Sequence, residues 1–389
     1  MIAALLLPAL VLAEENWTLT TADFQSQRVD LQTISDNDIT VAGDSADAAA
    51  RHIGFDKLLL LQRIDKPAPA AAGAFIVNLT GRDAVSGQPI GLDGENLLWM
   101  NPAVGKLSLP LKSVTSLHRS GAAESAPTGA PQTEDIVKLA NGDSVHGIIV
   151  GFDATTVTIQ QPSGDKTPAP LDSVSRITFA STGAAGASAR ARGFRIVLAD
   201  GTALTASSVR LEPANSSRNL TFAPLIDPTS SRSVPLATVV SIEQVNGPVV
   251  WLSSLTPLQS VQTSMFDLDW PARMDRAVDG SPLRFGDRTF TRGIGVHSYS
   301  KLVFAIDPSW KTFRTQYAIA GDGQYSNVTV RVKLDDKVVH EQQDFRAGIL
   351  APPLVIDVTG KKQLILEVDY GQNYDVQDRF NWIEAAFLR

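Results

Sequence analysis

Rings and polar forks gather in the last third of this chain. The run Asp369-Tyr370-Gly371-Gln372-Asn373-Tyr374-Asp375 sets two tyrosines among two side-chain amides and two carboxylates. All five tyrosines lie at or beyond position 299, and four of the six tryptophans lie at or beyond position 251. Tyr and Trp each offer an apolar face and a polar edge. Asn, Gln and Asp can bond two groups at once. That combination suits a polyhydroxylated ligand, whose C–H face stacks on a ring while its hydroxyls trade water for aligned partners. Tyr370, Asn373, Tyr374 and Asp375 are the first candidates for such contacts, with Trp270, His297 and Trp382 behind them. Core packing competes for Trp382, which sits in an alternating strand pattern. Structural hydrogen bonding competes for His297, which lies among glycines and hydroxyls.

The carboxylates suggest a second chemistry. Asp369, Asp375 and Asp378 are oxygen ligands in a flexible loop region and would suit Ca2+ better than a transition metal, although their spacing is not that of an EF-hand. The alternative is solvated loop carboxylates. Asp335-Asp336 reads as a hairpin turn. Glycoside hydrolysis would need two facing carboxylates, and no nucleophile elbow, His-Glu-x-x-His or phosphate loop is present. Catalysis is therefore not expected. With no cysteine, disulfides and thiolate metal sites are excluded. A net charge of −7 without a basic block argues against a nucleic-acid partner.

The elements that must carry these residues read as strands. Short Val/Ile/Leu/Thr runs are broken by Gly, Asn-Gly, Asp-Gly and Pro, so the expected class is all-β. Residues 137–150 form a hairpin pattern around Asn141-Gly142, and residues 196–202 repeat it around Asp200-Gly201. An internal repeat runs through the first two thirds. Pro110-Leu111-x-x-Val114-x-x-Leu117, Pro170-Leu171-x-x-Val174-x-x-Ile177 and Pro235-Leu236-x-x-Val239-x-x-Ile242 close three copies, and residues 55–61 look like a degenerate first one. Such a period signals an array of small supersecondary units. Ala/Gly/Pro/Ser stretches at 66–74, 120–134 and 181–193 read as linkers. The predicted repeats are 14–65 (degenerate), 74–119, 134–180 and 194–246, and each loosely resembles a small Sm-like or SH3-like β-barrel.

From Trp251 onward the pattern becomes a continuous series of alternating strands with turns about every ten residues, as in a β-sandwich. Gly293-Ile294-Gly295-Val296-His297-Ser298-Tyr299-Ser300 leads into Leu302-Val303-Phe304-Ala305-Ile306-Asp307. Later come Asp357-Val358-Thr359-Gly360-Lys361-Lys362-Gln363-Leu364 and a closing Asp378 with Asn381-Trp382-Ile383-Glu384-Ala385. In that order these elements resemble the NPCBM carbohydrate-binding module family over residues 249–389. The family's Gly-x-Asp-Asp stretch is replaced here by Gly321-Asp322-Gly323-Gln324-Tyr325. The resemblance implies a jelly-roll-like sandwich that binds sugars, often galactose-type, with no catalysis of its own.

The apolar run Met1 to Ala13, with Val11 and Ala13 placed for a signal peptidase, reads as a signal peptide, though no Lys or Arg precedes it. It is too short to span a bilayer. The expected location is outside the cytoplasm: periplasm, bacterial cell envelope or extracellular space. Two functions follow. One is non-catalytic carbohydrate or glycan binding by the closing module. The other is an envelope structural or protein-interaction role in which the repeats are the working part.

Overall fold

The computed structural model describes residues 16–43, 49–121, 133–180, 192–213, 218–265, 270–321 and 323–389. The apolar run at 1–13, and most of the stretches at 120–134 and 181–193, lie outside them. The chain divides into two compact units, Met1–Gly247 and Pro248–Arg389. Both are all-β, with short 3-10 turns as their only helical segments among the described residues. No helix there is long and apolar enough to cross a membrane.

The first unit is built from four five-stranded antiparallel groups. In each, the last strand returns to pair with the first. Leu58–Arg63 pairs Asn16–Thr21, Val114–Arg119 pairs Phe75–Leu79, Val174–Thr178 pairs Asp135–Leu139, and Val239–Val245 pairs Gly193–Leu198. The Asn141-Gly142 and Asp200-Gly201 turns join the first two strands of their groups. Gly142 and Gly201 have φ of 96° and 86°, a region only glycine enters without steric cost.

The Pro-Leu-x-x-Val motif has a backbone explanation. Pro110, Pro170 and Pro235 each end a fourth strand that pairs on one side only, where the missing N–H costs nothing. The following leucine opens a 3-10 turn and donates its N–H to the carbonyl just before the third strand: Leu111 to Glu95, Leu171 to Thr155, Leu236 to Arg218, at 2.7–2.8 Å. Phe55 makes the same bond to Asn37 at 2.9 Å, so the first copy keeps the backbone geometry without the proline.

The closing strands then pair across groups. Leu117 faces Ile177 and Leu61 faces Ile242, and all four are fully buried. Arginines lock these joins. Arg119 donates to the carbonyls of Val174, Leu171 and Asp172, and Arg63 to those of Val239 and Leu236. Each guanidinium also lies over the aromatic ring that opens its own group, Phe75 or Trp17. One continuous hydrophobic core runs through all four groups. The 66–74 stretch is pinned rather than loose: Ala68 N–H bonds Ala237 O and Gly73 N–H bonds Ser86 Oγ.

The second unit is a sandwich of two antiparallel sheets. One contains Arg273–Met274, Gly293–His297, Arg379–Leu388, Thr312–Ile319 and Leu354–Asp357, with Val249–Trp251 also on Arg379–Leu388. The other contains Gln259–Gln262, Ser300–Ala305, Gln363–Tyr370, Asn327–Leu334 and Lys337–Arg346. Alternate residues of both sheets, including Ile294, Val296 and Phe313 of one and Val330, Leu366 and Val368 of the other, fill the space between them. Asp335 and Asp336 form a two-residue hairpin turn with φ of 49° and 67°, the left-handed pair that suits strand twist. The two strands flanking Gly360 are present but lie in opposite sheets. The turn between them buries Val358 and crosses from one layer to the other.

Candidate functional site

At one end of the sandwich the strands Gln259–Gln262 and Gly293–His297 run out into loops. A shallow depression forms there, with an enclosed volume of about 30 Å³. Its aromatic lining is Trp270, His297 and Tyr299, and its polar lining is Gln262, Thr263, Ser264 and Ser298. Trp270 stacks on His297 with ring centroids 5.1 Å apart and planes 9° from parallel. On the same indole lies the Arg379 guanidinium, 6.0 Å from the centroid, itself paired with Asp279 at 3.2 Å.

His297 is 6% exposed. Its Nδ1 is 3.0 Å from the Ser298 carbonyl. A carbonyl only accepts, so Nδ1 carries the proton and the neutral ring keeps its lone pair on Nε2. Burial holds the imidazole below its ordinary pKa, outweighing the Ser298 bond and the nearby Asp375 charge, so the ring is neutral at pH 7. Tyr299 shows an upward shift, caused first by burial and then by the charges of Glu367 and Asp369. Tyr370 braces the rim: its hydroxyl donates to Thr263 O at 2.7 Å, and its ring lies 6.4 Å from that of Tyr299.

Two carboxylates sit behind the lining. Asp378 is fully buried; one oxygen accepts from Ser298 Oγ at 2.7 Å and the other from Asn327 N–H at 3.0 Å. Burial, opposed by these two bonds and reinforced by the Asp375 charge, pushes its pKa up to about 6. Asp375, also buried, accepts from Met265 N–H at 3.0 Å and Ser264 Oγ at 3.4 Å. Both carboxylates hold the walls in place.

Of the residues singled out from sequence, Trp270 and His297 meet in the lining and Tyr370 supports it. Tyr374 stands exposed on the adjoining loop, and Asn373 spends its amide on Tyr325 O. Asp375 is turned inward. Trp382 requires a correction. It is fully buried in the core with Tyr317 and Phe380 edge-on against it, so a ligand cannot reach it. The three carboxylates read as calcium ligands are engaged by groups of the protein. Asp369 is held by Arg331 at 2.8 Å on the neighbouring strand, while Asp375 and Asp378 bind protein donors. Among the described residues, no three His, Asp or Glu side chains converge as a metal site.

Sequence reasoning missed Tyr299 and Ser298, although both belong to the glycine-histidine run already noted. It also missed Gln262, Thr263 and Ser264. They adjoin the site only because Gln259–Gln262 pairs Ser300–Ala305 across the sheet, and no local signal marks them.

Among solved structures the chain is similar to the CBM51-2 and INT domains of Clostridium perfringens ZmpB in complex with GlcNAc. Identity is 24% and TM-score 0.33, over 47% of this chain and 38% of that one. It is also similar to CBM51 from Clostridium perfringens GH95 in complex with methyl-galactose, at 19% identity and TM-score 0.32, over 36% of this chain and 99% of that one. A third likeness is to the tandem CBM51 modules of Sp3GH98, the family 98 glycoside hydrolase of Streptococcus pneumoniae SP3-BS71. Identity there is 10% and TM-score 0.32, over 95% of this chain and 87% of that one. The chain thus spans 38% of the length of the first of these structures. No curated protein matches the sequence. The profile of the NPCBM/NEW2 domain family matches residues 248–388, and the carboxy-terminal sandwich is an NPCBM/NEW2 domain.

Proposed function

We propose that the sandwich is a non-catalytic carbohydrate-binding module of an exported protein, holding one galactose-type sugar unit over Trp270 and His297. The observation that carries this reading is the makeup of the depression. Stacked rings lie beside hydroxyls, an amide and a neutral imidazole, and no carboxylate is in the lining among the described residues. Such a surface can stack on a sugar face and bond its hydroxyls, but it has no acid–base pair with which to cleave a glycosidic bond. Its enclosed volume, about 30 Å³, is far below the ~300–1,000 Å³ of drug-sized pockets, so a sugar lies across the depression rather than inside it. Few partners and an open face imply weak binding, with Kd on the order of 0.01–1 mM.

Calorimetric titration of the full chain with galactose, alongside a glycan array, tests this. Trp270→Ala is expected to weaken binding by about tenfold, one ring's stacking, with the melting temperature nearly unchanged. A folded wild-type chain that binds nothing on the array sinks the proposal. A Trp270→Ala variant that binds a confirmed sugar like wild type places the site elsewhere.

One observation favours the other function, protein interaction through the repeats. Ile148 and Val150, on Ser144–Phe152, are 66% and 41% exposed on one face of their strand. Loss of partner capture on Ile148→Ser, with sugar binding intact, would support that role.

A further inference from the structure

We infer that the sugar site continues past the depression onto a second aromatic station, the exposed rings of Tyr325 and Tyr374, so that the ligand is an oligosaccharide of at least two units. This rests on the reading of the depression given above. Tyr374 is 63% exposed and Tyr325 56%, whereas Tyr317 of the same sandwich is 1% exposed and packs its core. The two exposed rings therefore add little to folding.

Their backbones are nevertheless fixed. Asn373 Nδ2 donates to Tyr325 O at 2.9 Å, and Tyr325 N–H donates to Gln377 Oε1 at 3.3 Å. A bridge between Gly371 and Tyr374 closes the loop, and Asn327 Oδ1 accepts the Gln372 N–H. Tyr374 is held at φ 58°, in the left-handed region that costs an L-residue energy. With the backbone already fixed, binding has only the side-chain torsions of each tyrosine left to order.

The loops that carry the station are tied to the walls of the depression. Asp375, next to Tyr374, is bonded to Ser264 in one wall. Asp378 ties Asn327, close to Tyr325, to Ser298 in another. Met265 and Val376 are 49% and 42% exposed and extend the apolar surface around these loops. A depression too shallow to enclose a sugar ring leaves the ligand lying on the surface around it. The neighbouring surface carries what a sugar ring uses, which is aromatic faces with amides beside them. A second sugar unit is the occupant these features fit.

The test is calorimetry on the full chain with galactose and with galactose-ended disaccharides of α1,3, β1,3 and β1,4 linkage. At least one disaccharide is expected to bind about 3–10-fold more tightly than galactose, the gain of one stacking contact. Tyr325→Ala and Tyr374→Ala are each expected to cut that gain while leaving galactose affinity and the melting temperature unchanged. The inference is overturned alone if galactose binds but no disaccharide binds better. It is also overturned if the gain survives both substitutions, or if the variants lose galactose equally. A wild-type chain that binds none of these sugars removes the reading of the depression as well. Binding of a protein at these rings, with no sugar effect, would reassign the surface.

Discussion

Both units place an arginine over a tryptophan, and the two pairs serve different ends. In the repeats, Arg63 lies 4.6 Å from the centre of the Trp17 ring. That ring is fully buried, and the guanidinium is spent on the carbonyls of Leu236 and Val239 in another repeat. In the sandwich, Arg379 lies 6.0 Å from the Trp270 ring, which is half-buried, and it pairs with the carboxylate of Asp279. Cation–π geometry is similar in kind. What differs is how much of each group the protein itself has used up. A saturated, buried pair is a joint between repeats, whereas a pair left partly exposed can still meet a ligand. The same contrast separates Trp382, enclosed by aromatic rings, from Trp270 in its own unit.

The largest test of that contrast is Trp382→Ala. Removing a fully buried indole from the sandwich core is expected to cost about 3–5 kcal/mol, read as a lower denaturation midpoint for the sandwich transition. The transition of the repeats should be unmoved. A small cost would mean that the ring is not a core element and would reopen it as a ligand contact.

Next comes the buried carboxylate behind the site. The Asp378 pKa is raised from 3.8 to about 6, so the folded state keeps a proton that the unfolded chain releases. The neutral form's contribution is fully present below about pH 3.8 and is lost as pH rises through about 6. Asp378→Asn mimics the protonated group and can still pair with Ser298 Oγ and Asn327 N–H. The variant should therefore melt like wild type at pH 4 and gain on it by pH 7, by no more than about 3 kcal/mol. Melting both proteins at each pH cancels the titration of His297, which both retain. A constant difference from pH 4 to 7 would show that folding does not raise the Asp378 pKa.

A paired substitution sharpens the arginine comparison. Arg119→Ala removes charge-assisted bonds to three carbonyls and the cover over Phe75, and is expected to destabilise the repeats by about 2 kcal/mol. Arg379→Ala breaks an exposed ion pair and is expected to cost the sandwich less than about 0.5 kcal/mol, while weakening sugar binding through the loosened Trp270. Equal stability losses in urea titrations would erase the distinction between joint and site.

These contrasts also show what could be read from sequence. The repeats were legible because their rules are local. A proline ends an edge strand, a leucine starts a turn, and a β-branched or leucine residue six positions further on faces its counterpart. Even the degenerate copy at Phe55 could be seen, since its bond to Asn37 needs only backbone. The strands of the sandwich and the hairpin at Asp335-Asp336 were legible for the same reason. The site was legible only in its residue types. Trp270 reaches His297, and Tyr370 reaches Thr263, through sheet order rather than chain proximity. The three aspartates looked alike in sequence, yet one is claimed by an arginine 38 positions away and two turn inward to hold backbone and hydroxyl groups. No pattern of spacing records which way a loop carboxylate turns.

The smallest expected effect carries the most specific claim. Tyr374 sits at φ 58° with an exposed ring, so its side chain gains little from burial while its backbone stays in a costly region. An L-residue there costs about 1–2 kcal/mol relative to glycine's freedom, and glycine gives back about 0.4–1 kcal/mol through the larger entropy of the unfolded chain. Tyr374→Gly is therefore expected to leave the sandwich unchanged or more stable by about 0.5 kcal/mol, while losing the affinity gain for disaccharides. The repeats contain the control. Phe24, at φ 65°, occupies the turn position that Gly142 and Gly201 fill in the third and fourth groups, but its ring is only partly exposed. Phe24→Gly relieves the same backbone cost and gives up packing, so it should show less of a gain or a net loss. If Tyr374→Gly instead destabilises the sandwich by more than about 1 kcal/mol, the ring is a structural element. If stability holds and disaccharide binding falls, the tyrosine is kept against the preference of its own backbone, which is the mark of a residue retained for what it touches outside the fold.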